Sequence, residues 1–484
     1  MDTKTPNSIT MQSIRDALVD CPDIIQKKVY IDNQHEAFFL YIKQLTDYAS
    51  VQSDFISPLI AMSLQQLSNE INIHNIPCGE TTILYDSTKV IESIMDGNTV
   101  FVCEQIPFAV ACMLPDVEKR SIEEPDTEKN VRGSHEGFVE PIYTNLSILR
   151  RKIKNNKLKF KTITLGVQTQ QMVVIAYIEG IANMDIVNGL FDKVSKINID
   201  GLSSVGYIEQ SISAHPNSVF PQFLSTERPD KTTAALLEGR IVILEDGTPR
   251  VLIAPVDFIA FFQGMDDYST LWIHGSFLRL IRIAALIIAI LLPSMYISIT
   301  SFHYYAVPLD LLIPLAESRA RVPFPPIVEA LILEFTIEMV REAAIRLPTY
   351  IGTSISVVAG LIIGQAAVEA GIVSNLLIII VAATAIASYV LPSQDMAMAI
   401  RILRFVYMIS ASVFGIIGIV VSTALTFAHL TRIESLGQPY FQPFSPLDTN
   451  GLKDSILRLP LKKMKKRPYM TRIKNKFRSG NDEG

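Results

Sequence analysis

Residues 322–348, VPFPPIVEALILEFTIEMVREAAIRLP, decide how the second half of this chain is read. Uncharged apolar stretches flank the segment, yet between Ile327 and Leu347 stand Glu329, Glu334, Glu338, Arg341, Glu342 and Arg346. Prolines at 323, 325 and 326 permit a helix to begin here and forbid its extension backwards, and Pro348 ends it. The spacing predicts a helix over 327–347, roughly 30 Å long at 1.5 Å per residue, enough to cross a bilayer or lie along its surface. Glu334, Glu338 and Glu342 are spaced i,i+4, Arg346 continues the row with opposite charge, and Glu338 and Arg341 form an i,i+3 pair. Ile327, Leu331, Phe335 and Met339 occupy the other face, so the helix is amphipathic. Two placements stay open. It lies in the membrane interface with its charges in water, or it is embedded with the charged stripe facing other subunits or an aqueous path, because ionisable groups at membrane depth are costly and usually functional.

The flanks set the class. The chain is 49% apolar, and no Asp, Glu, Lys or Arg occurs in 283–305, 351–368, 372–391 or 405–428. Runs near 20 residues span a hydrocarbon core. We therefore expect an α-helical polytopic membrane domain over 276–432, with spans near these four runs and the charged helix among them. Within 351–368, Gly360 and Gly364 form a GxxxG that suits close helix packing. Ile355, Val358 and Ile362 form an apolar stripe, read equally as lipid contact or as a dewetting gate, and Gln365 closes the helix as a pore-mouth polar group or a simple interfacial end.

The tail, 433–484, is basic: residues 452–484 hold eleven Lys/Arg against three acids, which places it on the cytoplasmic side. The N-terminus shows no apolar signal region, so the long polar front is also expected inside. Both ends inside implies an even number of crossings, with 327–347 embedded without a simple crossing or paired with a short re-entrant segment at 306–316.

The front half reads as an α+β soluble region of two mixed α/β subdomains, 1–140 (including a charged connector) and 141–275. TKVIESIMDG predicts a helix stopped by Gly97, with the strand NTVFVCE following; FKTITLG and MVVIAYIEG predict a hairpin. GRIVILEDGTPRVLIAPV predicts two buried strands joined at Asp246-Gly247, and MDIVNGLFDKVSKI an amphipathic helix. No internal repeat is evident. Cys21, Cys78, Cys103 and Cys112 lack CxxC spacing and read as free thiols. His135-Glu136 begins like a zinc-protease helix, but Val139 stands where the second histidine belongs. No P-loop, GxGxxG or nucleophile elbow occurs, so neither catalysis nor a cofactor is expected. The motif EGFVE (Glu136, Gly137, Phe138, Glu140) precedes Asn145 and the basic run 149–151. It either couples the two subdomains or starts a capped helix.

Taken together, PFPPIVEALILEFTIEMVREAAIRLP, GLIIGQAAVEAGIVS, EGFVE, TERPDKTTAALLEGR, the Arg401–Arg404 segment and HLTRIESLGQPYFQP…DSILRLP resemble the A subunits of GerA-type spore germinant receptors, over about residues 120–460. One departure is local: Ser134 and His135 stand where many relatives have a proline before the EGF-type motif. The resemblance implies a multi-pass protein of the endospore inner membrane, both termini facing the spore core, that forms a homo-oligomeric ring, expected to be a pentamer, as a ligand-gated monovalent-cation channel. Its implied partners are a transporter-like B subunit, a lipoprotein C subunit and membrane lipids, with no nucleic acid. A transporter-type subunit and a non-conducting signalling scaffold, such as an accessory germination paralogue, remain the alternative readings.

Overall fold

The computed structural model describes residues 9–113, 125, 128, 132–347, 364–449, 451–464, 466, 467, 475 and 477. They form two compact units: one of 1–213, 223–256 and the end of the tail, the other of 214–222 and 257–465.

The first unit consists of two lobes with one topology. In the first lobe, helix α1 (Met11–Ala17) is followed by β1 (Ile24–Ile31), β2 (His35–Ile42), β3 (Thr81–Leu84), α2 (Ser87–Met95), β4 (Thr99–Cys103) and β5 (Ala109–Cys112). In the second, α3 (Ile142–Lys152) precedes β6 (Leu158–Leu165), β7 (Gln171–Ile178), α4 (Met184–Ser195), α5 (Val205–Ile212), β8 (Leu224–Thr226), α6 (Pro229–Leu237), β9 (Ile241–Glu245) and β10 (Val251–Ala254). The sheets run β1-β2-β4-β5-β3 and β6-β7-β9-β10-β8, all antiparallel, the same order twice. Lengths repeat as well. The opening strands pair over eight residues in each lobe, and the helix before the central strand has nine residues in each. Each such helix ends at a glycine with positive φ, Gly97 at 94° and Gly239 at 80°, the left-handed C-terminal cap that only glycine adopts freely. A structural repeat is thus present that the sequence reading did not find, because the two copies share burial pattern and turn positions rather than residues.

Burial explains the strand sequences. Ala37 and Phe39 join Val29, Ile31 and Phe101 in a core on one face of the first sheet, while Phe38, Leu40 and Ile42 join Val100, Val102, Val90 and Ile94 on the other. A sheet covered on both faces needs continuous apolar strands, and TVFVC is buried at all five positions. The expected hairpins, the turn at Asp246-Gly247 and the helices on both sides of them are all found.

The second unit is helical. It contains α7 (Trp272–Ser301), α8 (Leu309–Arg319), α9 (Pro326–Arg346), α10 (Asn375–Tyr389) and α11 (Gln394–Arg432). Among the described residues, α7 is a helix long and apolar enough to cross a membrane, α11 is so only when its 39 residues are taken end to end, and α10 is a shorter apolar helix. The unit begins near Asp257 and takes in 433–464, so its boundary differs from the composition break expected at 276.

The uncharged run 405–428, expected as one span, is not one straight helix. Gly415 sits at φ 60°, ψ −139°, outside helical space, and the chain reverses there. Ser410 Oγ donates to Gly418 O (3.0 Å) and Tyr407 Oη to Thr426 Oγ1 (3.1 Å), so 394–414 and 416–432 lie side by side as a helical hairpin. Phe302 and His303, just past the end of α7, pack on Gly415 and fix which end of the unit holds the turn.

Candidate functional site

The charged helix α9 spans Pro326–Arg346, with Pro325 as its N-cap and Pro326 in its first turn, as the proline cluster predicts. Its polarity is inverted along part of its length, although Glu342 and Arg346 are exposed and Ala330 and Leu333 are buried. Glu329 and Glu334 are 0% and 1% exposed, whereas Phe335, Met339 and Ile345 are 61%, 53% and 75% exposed. A helix lying flat with its charges in water does not describe this arrangement. In water such an inversion would forfeit the apolar burial that normally holds a helix in place.

Each buried charge has named partners. Ser374 N–H, at the N-cap of α10, donates to Glu329 Oε2 (3.2 Å), and Arg319 of α8 lies 3.6 Å from Glu329 Oε1. Tyr296 of α7 shares a hydrogen bond of 2.9 Å with the Ser374 hydroxyl. One turn further along α9, Arg404 Nη1 pairs with Glu334 Oε2 while Thr384 Oγ1 donates to Oε1 at 3.1 Å. Arg404 Nη2 also donates to Ser388 Oγ (2.6 Å), and the Ser388 hydroxyl in turn donates to Thr384 O (2.9 Å). The next acid, Glu338, accepts from Arg341 (2.8 and 3.1 Å) and from Arg401 (3.0 Å). Arg341 is held over the Tyr389 ring at 4.8 Å and donates to its hydroxyl at 3.2 Å. Glu342 and Arg346 pair at 2.6 Å on the exposed surface.

These contacts order the helices. Glu329 meets the start of α10, Glu334 its middle and Arg341 its end, so α9 and α10 run parallel. Glu334 meets Arg404 and Glu338 meets Arg401, so α9 and the first arm of α11 run antiparallel. The result is a ladder of acid–base rungs between two helices. The Thr384 and Ser388 hydroxyls fill part of the remaining bonding capacity, while Arg401 Nε, Arg404 Nε, Arg341 Nη2 and Glu329 Oε1 have no hydrogen-bond partner among the described residues. A buried charge whose partner is removed is left uncompensated, which makes each rung strongly interdependent.

Of the residues expected at the site, Glu334, Glu338 and Arg341 are brought together with Arg401 and Arg404, while Glu342 and Arg346 stay at the surface. Gln365 is exposed, and a Cβ on Gly364 would meet no atom within 4 Å. Ile355, Val358, Gly360 and Ile362 lie outside the described residues. Arg319, Thr384, Ser388, Ser374 and Tyr296 were not anticipated. Serine and threonine inside apolar runs were the available signal, since a hydroxyl there is tolerated when it has a partner.

The EGFVE motif makes its contacts inside the second lobe. Glu136 pairs with Lys152 at 2.9 Å and with Arg151, and Phe138 is buried with its N–H bonded to Glu227 O (2.8 Å). Asn145 closes the loop, accepting from Val139 N–H (2.9 Å) and donating to Val139 O (2.6 Å). Gly247 N–H donates to Glu140 O at 2.9 Å. Gly137 follows Glu136 in this loop. Contact across the lobes is made instead by Arg150 in the following basic run. Its guanidinium is wholly buried, donates to both oxygens of Asp23 (2.9 and 3.0 Å) and to the carbonyls of Asn155 and Leu158, and lies 4.9 Å from the Phe160 ring centre. Beside it, Lys159 Nζ caps Ala17 O (3.0 Å) and Val19 O (2.7 Å), and burial pushes the Cys21 thiol above its ordinary pKa. A cavity of about 460 Å³ opens there, lined on one side by Asp20 and Cys21 and on the other by Lys161 and Thr162.

Comparison with known proteins agrees with the motifs. The family model for the Bacillus/Clostridium GerA spore germination protein matches residues 12–470. The chain is 36% identical over 466 residues to spore germination protein KA of Bacillus subtilis (strain 168), covering 95% of this chain and 86% of that one. It is 38% identical over 483 residues to spore germination protein GerQA of Bacillus cereus, covering 99% and 95%. It is 40% identical over 441 residues to spore germination protein B1 of Bacillus subtilis (strain 168), covering 90% and 91%. Among solved structures, the N-terminal domain of the A subunit of the Bacillus megaterium spore germinant receptor GerK3 aligns at 27% identity and a TM-score of 0.39, covering 53% of this chain and 99% of that domain. The chain belongs to the GerA spore germination protein family.

Proposed function

We propose that this chain is the A subunit of a nutrient germinant receptor in the inner membrane of the endospore, and that copies of it surround a path for monovalent cations. It works with a transporter-like B subunit and a lipoprotein C subunit. The observation that supports this reading best is the inversion of α9, with Glu329 and Glu334 buried and Phe335, Met339 and Ile345 exposed. Apolar residues facing outward and paired charges facing inward suit a helix whose outer surroundings are hydrocarbon or another subunit.

Gating follows from the ladder spacing. Acids recur every fourth residue on α9, and Arg401 and Arg404 lie three apart on α11. A slide of one helical turn would exchange Glu334–Arg404 and Glu338–Arg401 for Glu338–Arg404 and Glu342–Arg401, and the arginines stay paired in both states. The slid register leaves the buried Glu334 without its arginine, so it lies higher in energy and is populated when a ligand binds it better than the resting one.

Potassium efflux from non-sporulating cells expressing the chain with its B and C partners tests the proposal. Positions 351–368 are changed in turn to alanine, or to serine where alanine is native. Leak recurring with a period near 3.6 supports a pore-lining helix. If every variant assembles and none leaks, the channel reading fails and a non-conducting scaffold replaces it.

A further inference from the structure

Between α7 and the two arms of the α11 hairpin lies a cavity of about 470 Å³ that the ladder does not use. Leu286 and Ile290 of α7, Leu403 of the first arm, Phe427 and Leu430 of the second, and Phe441 form much of its wall. We infer that this cavity holds one acyl chain of a membrane phospholipid.

Three observations specify the ligand. The first is chemical. The wall carries three hydroxyls, and all three are already engaged within the chain: Tyr407 donates to Thr426, Thr426 to Ser422 O, and Thr423 to Ile419 O. A polar ligand would find little to bond, and water needs two to four polar partners to occupy such a site. The second is size. An engineered apolar cavity of about 150 Å³ accepts benzene, so this space takes roughly three times that, a chain rather than a ring. The third is the mouth. Ile287 and Phe427 line the cavity and are each 52% exposed, so the wall continues onto an apolar outer surface. Arg432 is exposed at the end of the second arm, two residues beyond Leu430.

The inference rests on the membrane placement proposed above, and its test separates the two. The full chain is reconstituted in vesicles of phosphatidylethanolamine and phosphatidylglycerol containing a phospholipid with a diazirine in mid-chain. After irradiation, adducts are mapped by mass spectrometry. Adducts are expected within 283–291 and 423–430, besides those on the outward-facing Ile417 and Val420, which are 70% and 60% exposed. Filling the cavity with Leu286→Trp or Leu403→Trp should lower the cavity adducts about tenfold, the effect of denying some two methylenes their burial, and leave the outer adducts unchanged. Outer labelling without cavity labelling in the wild-type chain overturns the acyl-chain site, whether or not the variants fold. So does cavity labelling that both tryptophans leave intact. Abolition of cavity adducts by free fatty acid but not by excess unlabelled phospholipid overturns the phospholipid assignment. Absence of both kinds of adduct overturns the membrane placement as well.

Discussion

Tyr407 donates a hydrogen bond of 3.1 Å to Thr426, nineteen residues further along the chain. In a straight helix the two would stand about 28 Å apart. A short bifunctional thiol reagent should therefore link Tyr407→Cys to Thr426→Cys within one chain, in a background without the native cysteines. No intrachain link would mean that α11 is a continuous rod. The turn itself rests on Gly415. A Cβ there would approach His303 Nε2 to 3.0 Å and Phe302 to 3.3 Å, in a backbone region closed to other residues. Gly415→Ala should cost about 1–3 kcal/mol, read as a drop in melting temperature of the purified chain.

Removing one member of the Glu334–Arg404 rung should be worse than removing both. Arg404→Met or Glu334→Leu alone leaves a buried charge without its partner and should cost about 3–5 kcal/mol, whereas the two substitutions combined should recover most of that loss. Melting temperatures of the four proteins give the coupling. A loss in the double variant equal to the sum of the two single losses would show that the two residues do not act as a pair.

If the ladder slides by one turn, Glu342 pairs only with the exposed Arg346 in the resting register and is required by Arg401 in the other. Glu342→Gln should then leave assembly and resting leak as they are while weakening the nutrient-triggered potassium release. A variant that responds like the wild type would remove the sliding model and keep the rest.

Arg150 joins the two lobes of the first unit through Asp23. Arg150→Ala should destabilise by about 3–5 kcal/mol, and Arg150→Lys should rescue only part of it, since an ammonium cannot reproduce the forked pair of bonds. Urea unfolding followed by near-ultraviolet dichroism would read both.

Glu245 lies in β9, 2% exposed, and among the described residues its Oε2 has no hydrogen-bond donor. Burial, and secondarily the adjacent Asp246 carboxylate, push its pKa up to about 7. The folded form thus binds the proton more tightly than the unfolded one, whose carboxyl titrates near about 4.3. Its favourable contribution is complete below that pH and is lost as pH rises through about 7. Glu245→Gln should raise stability at pH 8 by about 2–3 kcal/mol, change little at pH 4 and flatten the profile between. A parallel shift at both pH values would show that the carboxyl does not titrate in this range.

Local chemistry made much of this legible. Prolines set the start of α9, Asp246-Gly247 set a turn, and apolar runs marked strands and helices, because each depends on neighbours in sequence. The lobe repeat was hidden, since a repeated fold needs only equivalent burial and turn positions. The hairpin in α11 was hidden as well: an uncharged run looks the same whether it is straight or doubled back, and a lone glycine in a helical pattern is commonly tolerated.

The sequence by itself determined that α9 would be a helix with a row of acids, that it lies among apolar segments, and that the chain shares the motifs of its family. Only the tertiary structure decided which way those acids face and which arginine meets which acid. Periodicity along one helix fixes a stripe, but the partner of a stripe lies on another helix, and that choice is made when the two pack.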